Sequence, residues 1–440
     1  MLLNRLSLAL VILPLVLSAC TSRTVPTPAD PVTAPAQSEI TTESSPTEVI
    51  PTATATHTPS PTSAAMPTPF GARFTGTPGP IPTMTAYVTS PPMPTPDAIG
   101  TPGFEWEGPG IVYRSTDLTL SNFDGSQKNV FAFVPGTSDF SPGAGRIVYE
   151  SDNSLWTLDL GRGFQNILTL DQYIESPVIS LDGTKIAYSL AYGFGNEYIQ
   201  QLWTINADGS ENTLVVDNTG QYMTDPGPFR LIPSAWSLDN TRLYMVTTTD
   251  SESTPVGMYV ADLSAGTIER ALTPQVTLWD VAFSPDRSMI AYYTFQWVPS
   301  QLGPPVVGPP FTLQVTDLSA GSTRVLQESD ILEFYHPVWS PDASRIAYTV
   351  RSRQLGGEIG LFIIDLASGA AIRLVPGSES NQLQPWAWLE ADRLAYTEVI
   401  RASEDTMNSS VTLYTIKIDG SEKHAIDSAY FVLGVLDDQN

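Results

Sequence analysis

A ten-residue pattern recurs along most of the chain and constrains the fold more than any other feature. Its clearest copy runs from Trp339 to Tyr348, as an apolar residue, then Ser-Pro-Asp, a short variable stretch, a basic residue and Ile-Ala-Tyr. Proline presets φ and an aspartate side chain accepts backbone N–H groups, so Ser-Pro-Asp predicts a tight turn between two strands. Other copies begin at Ile179, Trp236 and Phe283, with degenerate ones at Phe140 and Trp388. Four aspartates are therefore interpreted as structural turn caps: Asp182, Asp239, Asp286 and Asp342.

A second element follows each copy, as an apolar strand that ends near Asp or Asn before a turn. Its leading Leu or Met recurs at positions 118, 155, 202, 258, 313, 361 and 413. There are seven units, one for each of these residues, and each is interpreted as four short antiparallel strands. Seven such units predict an all-β fold, a seven-bladed β-propeller. The first unit lacks its first strand. The stretch from Tyr430 to Asp437 has the right pattern, so we expect this C-terminal strand to close the first blade and remove exposed sheet edges.

The repeats resemble those of the TolB-like (WD-repeat-like) propeller family. The resemblance covers Gly110 to Leu436 and rests on four good and three degenerate copies. TolB itself has six blades after an α/β domain, whereas this chain suggests seven. The resemblance therefore implies the fold, and it does not carry TolB's role in the Tol envelope system across to this chain.

The first 19 residues are predicted to be a lipoprotein signal peptide. Arg5 precedes an apolar run from Leu6 to Leu17, which is too short to span a bilayer. Leu17-Ser18-Ala19-Cys20 then resembles the lipobox of bacterial lipoproteins, and Cys20 is the only cysteine in the chain. We therefore expect lipidation at Cys20 and an exported protein, held at the membrane by this lipid and facing the periplasm or the cell exterior. An ordinary signal peptide with an incidental cysteine is the alternative.

Residues 20–103 are predicted to be a disordered Pro/Thr/Ser-rich tether, and residues 104–440 the propeller. Residues up to Gly103 hold 19 of the 38 prolines but only 5 of the 46 acids and 3 of the 21 bases. Such a segment cannot bury enough apolar surface to offset its chain entropy. The remainder carries 41 acids and 18 bases, a formal charge of −23. This charge argues against nucleic acid as a partner, favours basic or neutral partners, and suggests a monomer.

The candidate ligand-binding residues lie where long connections meet. The connections between the first and second strands and between the third and fourth are short and stereotyped. The other connections are long and irregular, such as Gln296 to Pro310, and all of them meet at one face of a propeller. Variable loops on a rigid scaffold are where binding residues usually lie. The candidates on this face are Tyr192, Phe194, Tyr198, Trp279, Trp297, Tyr335, His336 and Arg351.

Three functions remain open from the sequence. The usual hydrolase, metalloprotease and phosphate-loop motifs are absent from the sequence, and the propeller holds only His336 and His424, so we expect no enzyme activity, metal or cofactor. The favoured interpretation is a binding or scaffolding module for a protein, peptide or envelope glycan. The alternatives are a propeller enzyme, such as a metal-assisted oligosaccharide lyase, and a Tol-like envelope assembly factor.

Overall fold

The computed structural model of the chain is built from β-strands. It describes residues 99–100, 106, 108–131, 138–141, 144–151, 154–160, 164–169, 173–192, 199–217, 229–249, 255–272, 278–298, 306–354, 358–401, 409–429 and 431–436. Cys20, and all but Ile99 and Gly100 of the predicted tether, lie outside these residues. Within them, no helix is long and apolar enough to cross a membrane.

In chain order the strands are β1 (Ile99–Gly100), β2 (Gly110–Arg114), β3 (Leu118–Ser121), β4 (Lys128–Val130), β5 (Ser138–Ser141), β6 (Arg146–Ser151), β7 (Ser154–Asp159), β8 (Phe164–Thr169), β9 (Ile174–Ile179), β10 (Lys185–Tyr192), β11 (Ile199–Asn206), β12 (Thr213–Asp217), β13 (Phe229–Trp236), β14 (Arg242–Thr249), β15 (Pro255–Asp262), β16 (Thr267–Leu272), β17 (Trp279–Phe283), β18 (Met289–Val298), β19 (Val306–Asp317), β20 (Thr323–Ser329), β21 (Leu332–Trp339), β22 (Arg345–Ser352), β23 (Gly360–Asp365), β24 (Ala371–Pro376), β25 (Asn381–Glu390), β26 (Arg393–Arg401), β27 (Ser409–Lys417), β28 (His424–Asp427) and β29 (Phe431–Leu436).

The strands form seven antiparallel sheets, which are the seven blades of a propeller. Blade 1 has the order β29-β2-β3-β4, and blades 2 to 7 follow in groups of four from β5–β8 to β25–β28. The first strand of a blade contacts the first strand of the next, as in β5–β9, β9–β13, β17–β21, β21–β25 and β25–β29. These first strands therefore line the centre of the ring. The predicted fold and blade number are confirmed.

The C-terminal strand closes the ring as predicted. β29 pairs antiparallel with β2, from Gly110 opposite Leu436 to Arg114 opposite Phe431, and it also contacts β5 of blade 2. The first blade is thus assembled from both ends of the propeller sequence. Pairing of β2 with β29 covers a sheet edge that would otherwise be open to another chain.

Blade 2 carries a fifth strand that the sequence did not predict. β1 pairs antiparallel with the outer strand β8, with Ile99 opposite Gln165 and Gly100 opposite Phe164. Both residues of β1 fall within the range assigned to the tether. The pairing therefore begins five residues before the expected start of the propeller at residue 104.

The hydrophobic core is divided among the interfaces between blades. Seven clusters of buried side chains are present, one at each interface between consecutive blades. Three buried indoles on first strands also bond across an interface. The Nε1–H groups of Trp236, Trp339 and Trp388 donate to the backbone carbonyls of Val178, Ala282 and Val338, at 3.1, 2.9 and 3.1 Å. Each acceptor lies two residues before the turn Ser or its equivalent in the preceding blade, so the bonds repeat one geometry.

The aspartates of the first turn make the contacts expected of a capping side chain. Asp342 Oδ1 accepts from the Ser340 hydroxyl at 2.6 Å and from the Ser344 backbone N–H at 3.1 Å. These hydrogen bonds lower the pKa of Asp342 to about 2, because they stabilise the carboxylate. The same bonds from a serine hydroxyl and a backbone N–H recur at Asp182, Asp239 and Asp286.

Candidate functional site

Each first strand begins and each second strand ends at the same end of the ring, which is the end from which the predicted long connections leave. We call this the long-loop end and the opposite one the turn end. Four predicted binding residues have described side chains, and all four lie at the long-loop end of blades 5 and 6. They are Trp279, the first residue of β17, then Tyr335 and His336 in the middle of β21, and Arg351 near the end of β22.

The structure corrects the predicted loop between β18 and β19. Trp297 was placed in an irregular connection, but it lies in β18 and pairs with Val307. The prolines that suggested a loop, Pro309 and Pro310, are accommodated because the register shifts between Thr294 and Gln296. Gly308 is needed beyond this bulge, since a Cβ there would lie 2.7 Å from the Val298 side chain.

The other aromatic candidates contribute less to the described site. Tyr192 is the last residue of β10 rather than part of a loop, because its strand continues to pair with Ile199. Nothing further is described of the side chains of Tyr192 and Trp297, and Phe194 and Tyr198 lie outside the described residues. The site is therefore built from blades 5, 6 and 7.

Tyr335 is the centre of the site. Its ring centroid lies 4.9 Å from that of Tyr293 on β18 of blade 5, and 6.0 Å from that of His336. Trp279 packs nearby against Phe295, with 6.1 Å between the ring centroids. Burial and the neighbouring Glu333 carboxylate raise the pKa of Tyr335, so its phenol stays protonated. Tyr335 thus supplies an aromatic surface with a hydroxyl donor.

An ion pair between a buried glutamate and an exposed arginine lies beside this tyrosine. Glu333 is 7 % exposed, and its Oε1 lies 2.6 Å from Nε of Arg353. Nη1 of Arg353 also donates to the Val307 carbonyl at 3.0 Å, and the guanidinium lies 5.1 Å from the centroid of the Phe311 ring. Glu333 and Arg353 therefore neutralise each other and join blade 6 to blade 5.

Arg351 has weaker partners than Arg353. Its guanidinium stacks on Tyr335, with Cζ 5.0 Å from the ring centroid, and Nη2 approaches Gln382 Oε1 of blade 7 at 3.5 Å. Its Nε is buried and has no hydrogen-bond partner among the described residues. A guanidinium carries five donors, so most of the hydrogen-bonding capacity of Arg351 is unused.

Asp280 and His336 connect the innermost strands of blades 5 and 6. Asp280 Oδ2 accepts from the His336 backbone N–H at 3.0 Å and lies 3.2 Å from its Nδ1. Burial lowers the pKa of His336, against the opposing effect of the Asp280 carboxylate, so the neutral ring is favoured at pH 7. A neutral imidazole carries one donor and one acceptor nitrogen. Both residues have a positive φ of 53°, a conformation that is uncommon outside glycine.

Most of these partners were not predicted. Glu333, Tyr293 and Gln382 carry no repeat signature, and Glu333 becomes recognisable only when β21 and β22 pair and place it opposite Arg351. No group of three or more potential metal-ligating side chains occurs among the described residues. The arrangement offers aromatic surface, one under-used guanidinium and one imidazole acceptor, which together suit ligand binding.

Similarity to known proteins lies in the fold. No protein-family model matches the chain, and no curated protein matches it in sequence. The solved structure of putative TolB from Agrobacterium tumefaciens is 15 % identical, with a TM-score of 0.39 over 61 % of this chain and 88 % of that one. The chain has the fold of a seven-bladed β-propeller.

Two enzymes have similar structures. Oligogalacturonate lyase in complex with manganese is 14 % identical, with a TM-score of 0.47 over 76 % of this chain and 86 % of that one. Puromycin hydrolase is 13 % identical, with a TM-score of 0.50 over 77 % of this chain. The alignment covers 54 % of that hydrolase, so this chain spans about half of its length. At these identities the likeness concerns the fold and not the activity.

Proposed function

We propose that the protein is an exported, lipid-anchored propeller that binds a protein, peptide or envelope-glycan ligand at the long-loop end of blades 5 and 6. The gathering of Trp279, Tyr335, His336 and Arg351 at one end of two neighbouring blades is the observation that carries this proposal. Their backbones belong to paired strands, so the side chains are held in place before a ligand arrives. The lipid anchor rests on the Leu17–Cys20 motif, and export on the apolar segment before it.

The contacts of the two carboxylates in the site favour binding over acid–base catalysis by either of them. Glu333 is paired with Arg353, Asp280 with His336, and the Tyr335 phenol stays protonated. A general acid or base needs a group that is poised to exchange a proton with substrate. Here the carboxylates instead hold neighbouring blades together, which suits a rigid recognition surface.

Affinity capture tests the proposal with the full-length protein. It is immobilised in detergent and exposed to envelope extract, cell-wall fragments and exopolysaccharide. The double variant Trp279→Ala/His336→Ala removes contacts at the long-loop end. Leu238→Ala is the matched control, because Leu238 is an apolar side chain, 58 % exposed, in the turn after β13 at the turn end.

We expect wild type and Leu238→Ala to retain the same component and the double variant to lose it. Far-UV circular dichroism and the urea midpoint verify that all three proteins are folded. Retention by the folded double variant would contradict the choice of face. Capture by none of the proteins would contradict a binding function.

A further inference from the structure

Two arginines two residues apart on blade 6 have opposite environments. Arg353 has strong protein partners, because Glu333 Oε1 lies 2.6 Å from its Nε and the Val307 carbonyl accepts from its Nη1. Arg351 is less engaged, because among the described residues its guanidinium makes a single long hydrogen bond, to Gln382 Oε1 at 3.5 Å. No carboxylate in the described part of the chain forms an ion pair with Arg351.

Leaving a half-buried arginine without an anion is costly, since its charge is removed from water without full compensation. The cost is more notable in a chain with 46 acids and 21 bases, where a carboxylate partner is easily supplied. The buried Nε without a partner adds a second unsatisfied group at the same side chain. An incoming anion would relieve the uncompensated charge.

The geometry selects the kind of anion. The Arg351 Cζ atom lies 5.0 Å from the centroid of the Tyr335 ring, so this ring covers one side of the guanidinium. A planar guanidinium can bind the two oxygens of one carboxylate through two of its N–H groups. A doubly charged phosphate would meet the carboxylate of Asp280, which belongs to the same site and lies beside an uncharged His336. A singly charged carboxylate gains the same bidentate contact with less repulsion.

The charge of the whole propeller selects the molecule that carries the carboxylate. A polyanionic glycan would be repelled by a body of formal charge −23, whose acids outnumber its bases 41 to 18. A net-basic peptide is attracted by the same field. Its C-terminus presents one carboxylate at a chain end, which suits a half-buried guanidinium between blades 6 and 7.

We propose that Arg351 binds the terminal carboxylate of a net-basic peptide at the long-loop end of blade 6. This assignment rests on the proposed binding function and names the ligand group that the long-loop end recognises. The Tyr335 ring packs against the guanidinium, and the Gln382 amide lies beside it.

A titration with a pair of peptides tests the assignment. The probe is the peptide KKAAA as the free acid and as the C-terminal amide, added to full-length protein that carries ¹⁵N-labelled arginine. The Nε–H resonance of Arg351 is identified by its loss in Arg351→Lys. The net charge of the amide is one unit more positive than that of the free acid, because the amide lacks the terminal carboxylate. Attraction to the acidic body alone therefore predicts that the amide binds more tightly. The proposed site predicts the reverse.

We expect the free acid to shift the Arg351 resonance and to bind roughly tenfold or more tightly than the amide, as expected for one charge-assisted contact. Arg351→Lys keeps the charge but loses the planar fork, so the preference for the acid should disappear. Arg270→Lys is the matched control, because Arg270 also stacks on a tyrosine, 5.4 Å from the Tyr259 centroid, on the outer strands of blade 4. It should keep the preference.

Equal or tighter binding of the amide to wild type would overturn the assignment, as would an acid preference that survives Arg351→Lys. Tighter binding of glucuronate than of the peptide acid would overturn the choice of a peptide. The affinity-capture experiment separates this inference from the proposed function. Capture that is lost in Trp279→Ala/His336→Ala but unchanged in Arg351→Lys would leave the binding function standing and refute the role of Arg351. If wild type prefers the free-acid peptide over the amide but captures no component in the affinity experiment, the carboxylate site would be supported and the proposed envelope-binding function contradicted.

Discussion

The indole bonds between innermost strands make a quantitative prediction about how the ring is held together. Trp339 is 6 % exposed and donates to the Ala282 carbonyl of blade 5 at 2.9 Å. Trp339→Phe keeps an aromatic ring at the interface but removes the donor and part of the buried surface. Blade 5 shows that the fold accepts this change, because Phe283 occupies the equivalent position and packs on Tyr244 with 5.2 Å between ring centroids.

The expected cost has two parts. Loss of one buried hydrogen bond reduces the free energy of unfolding by about 1 kcal/mol. The smaller ring buries less apolar surface and leaves a small void, which costs about another 1 to 2 kcal/mol. We therefore expect Trp339→Phe to destabilise the protein by about 2 to 3 kcal/mol.

Urea unfolding of the full-length protein, followed by far-UV circular dichroism, measures this difference without depending on tryptophan fluorescence. The midpoint should fall while the m-value stays unchanged. Trp203→Phe is the control, because the Trp203 indole bonds within its own blade, to Gln201 Oε1 at 3.1 Å, and its loss should cost less than half as much. A decrease below about 0.5 kcal/mol for Trp339→Phe, or equal losses in the two variants, would refute the role of the bond between blades.

Three further predictions concern closure and charge. A chain that ends at Ala429 lacks β29, so it should unfold without cooperativity and self-associate in light scattering. A chain that ends at Leu436 should unfold cooperatively and stay monomeric. A shorter chain that is monomeric would contradict closure by this strand. The pKa of Asp342 is lowered to about 2, so the carboxylate stabilises the fold above about pH 4 and this stabilisation is lost as the pH falls toward 2. Urea midpoints across this range should decline less steeply with falling pH in Asp342→Asn than in wild type. Identical slopes would refute the role of Asp342 as a turn cap. Burial raises the pKa of Asp139 to about 6, so its ionisation costs stability as the pH rises from about 4 through 6. Asp139→Asn should therefore be about 1 to 2 kcal/mol more stable than wild type at pH 7.5 and equal at pH 4, and equal urea midpoints at both values would count against this explanation.

The fold was predictable from the sequence because its information is periodic. The repeated turn from Ser340 to Asp342 and the strand that begins at Leu361 each define one structural unit, and counting these units gives seven blades. The first unit lacks a first strand in the sequence, and only the segment after the last repeat has the pattern to supply it. This predicted that the C-terminal strand closes blade 1. The hairpin through Trp297 was not predicted, because prolines normally end strands and the bulge that accommodates them leaves no clear sequence signal.

The candidate site was predictable only in its position. The long connections identified the face, and Tyr335 and Arg351 were selected from it by residue type. Their partners were missed because the contacts join distant parts of the chain, as between Asp280 and His336, which are separated by 56 residues. Such a contact depends on the angle between blades and on the radius of the ring, which no local pattern encodes.

One backbone position links the scaffold to the site. In blades 3, 5 and 6 the residue four positions before the turn serine has a positive φ, and a register shift surrounds it; these residues are Ser176, Asp280 and His336. Blades 4 and 7 have Pro233 and Pro385 there, and the proline ring excludes a positive φ. The bulge therefore turns a polar side chain toward the neighbouring innermost strand in some blades and not in others. Because the same bulge recurs on a constant scaffold, a substitution at this one position changes the rim of the central channel without altering the propeller. The Asp280–His336 contact is thus a local elaboration of the repeat, which forms where two neighbouring blades both carry a polar residue with a positive φ at this position.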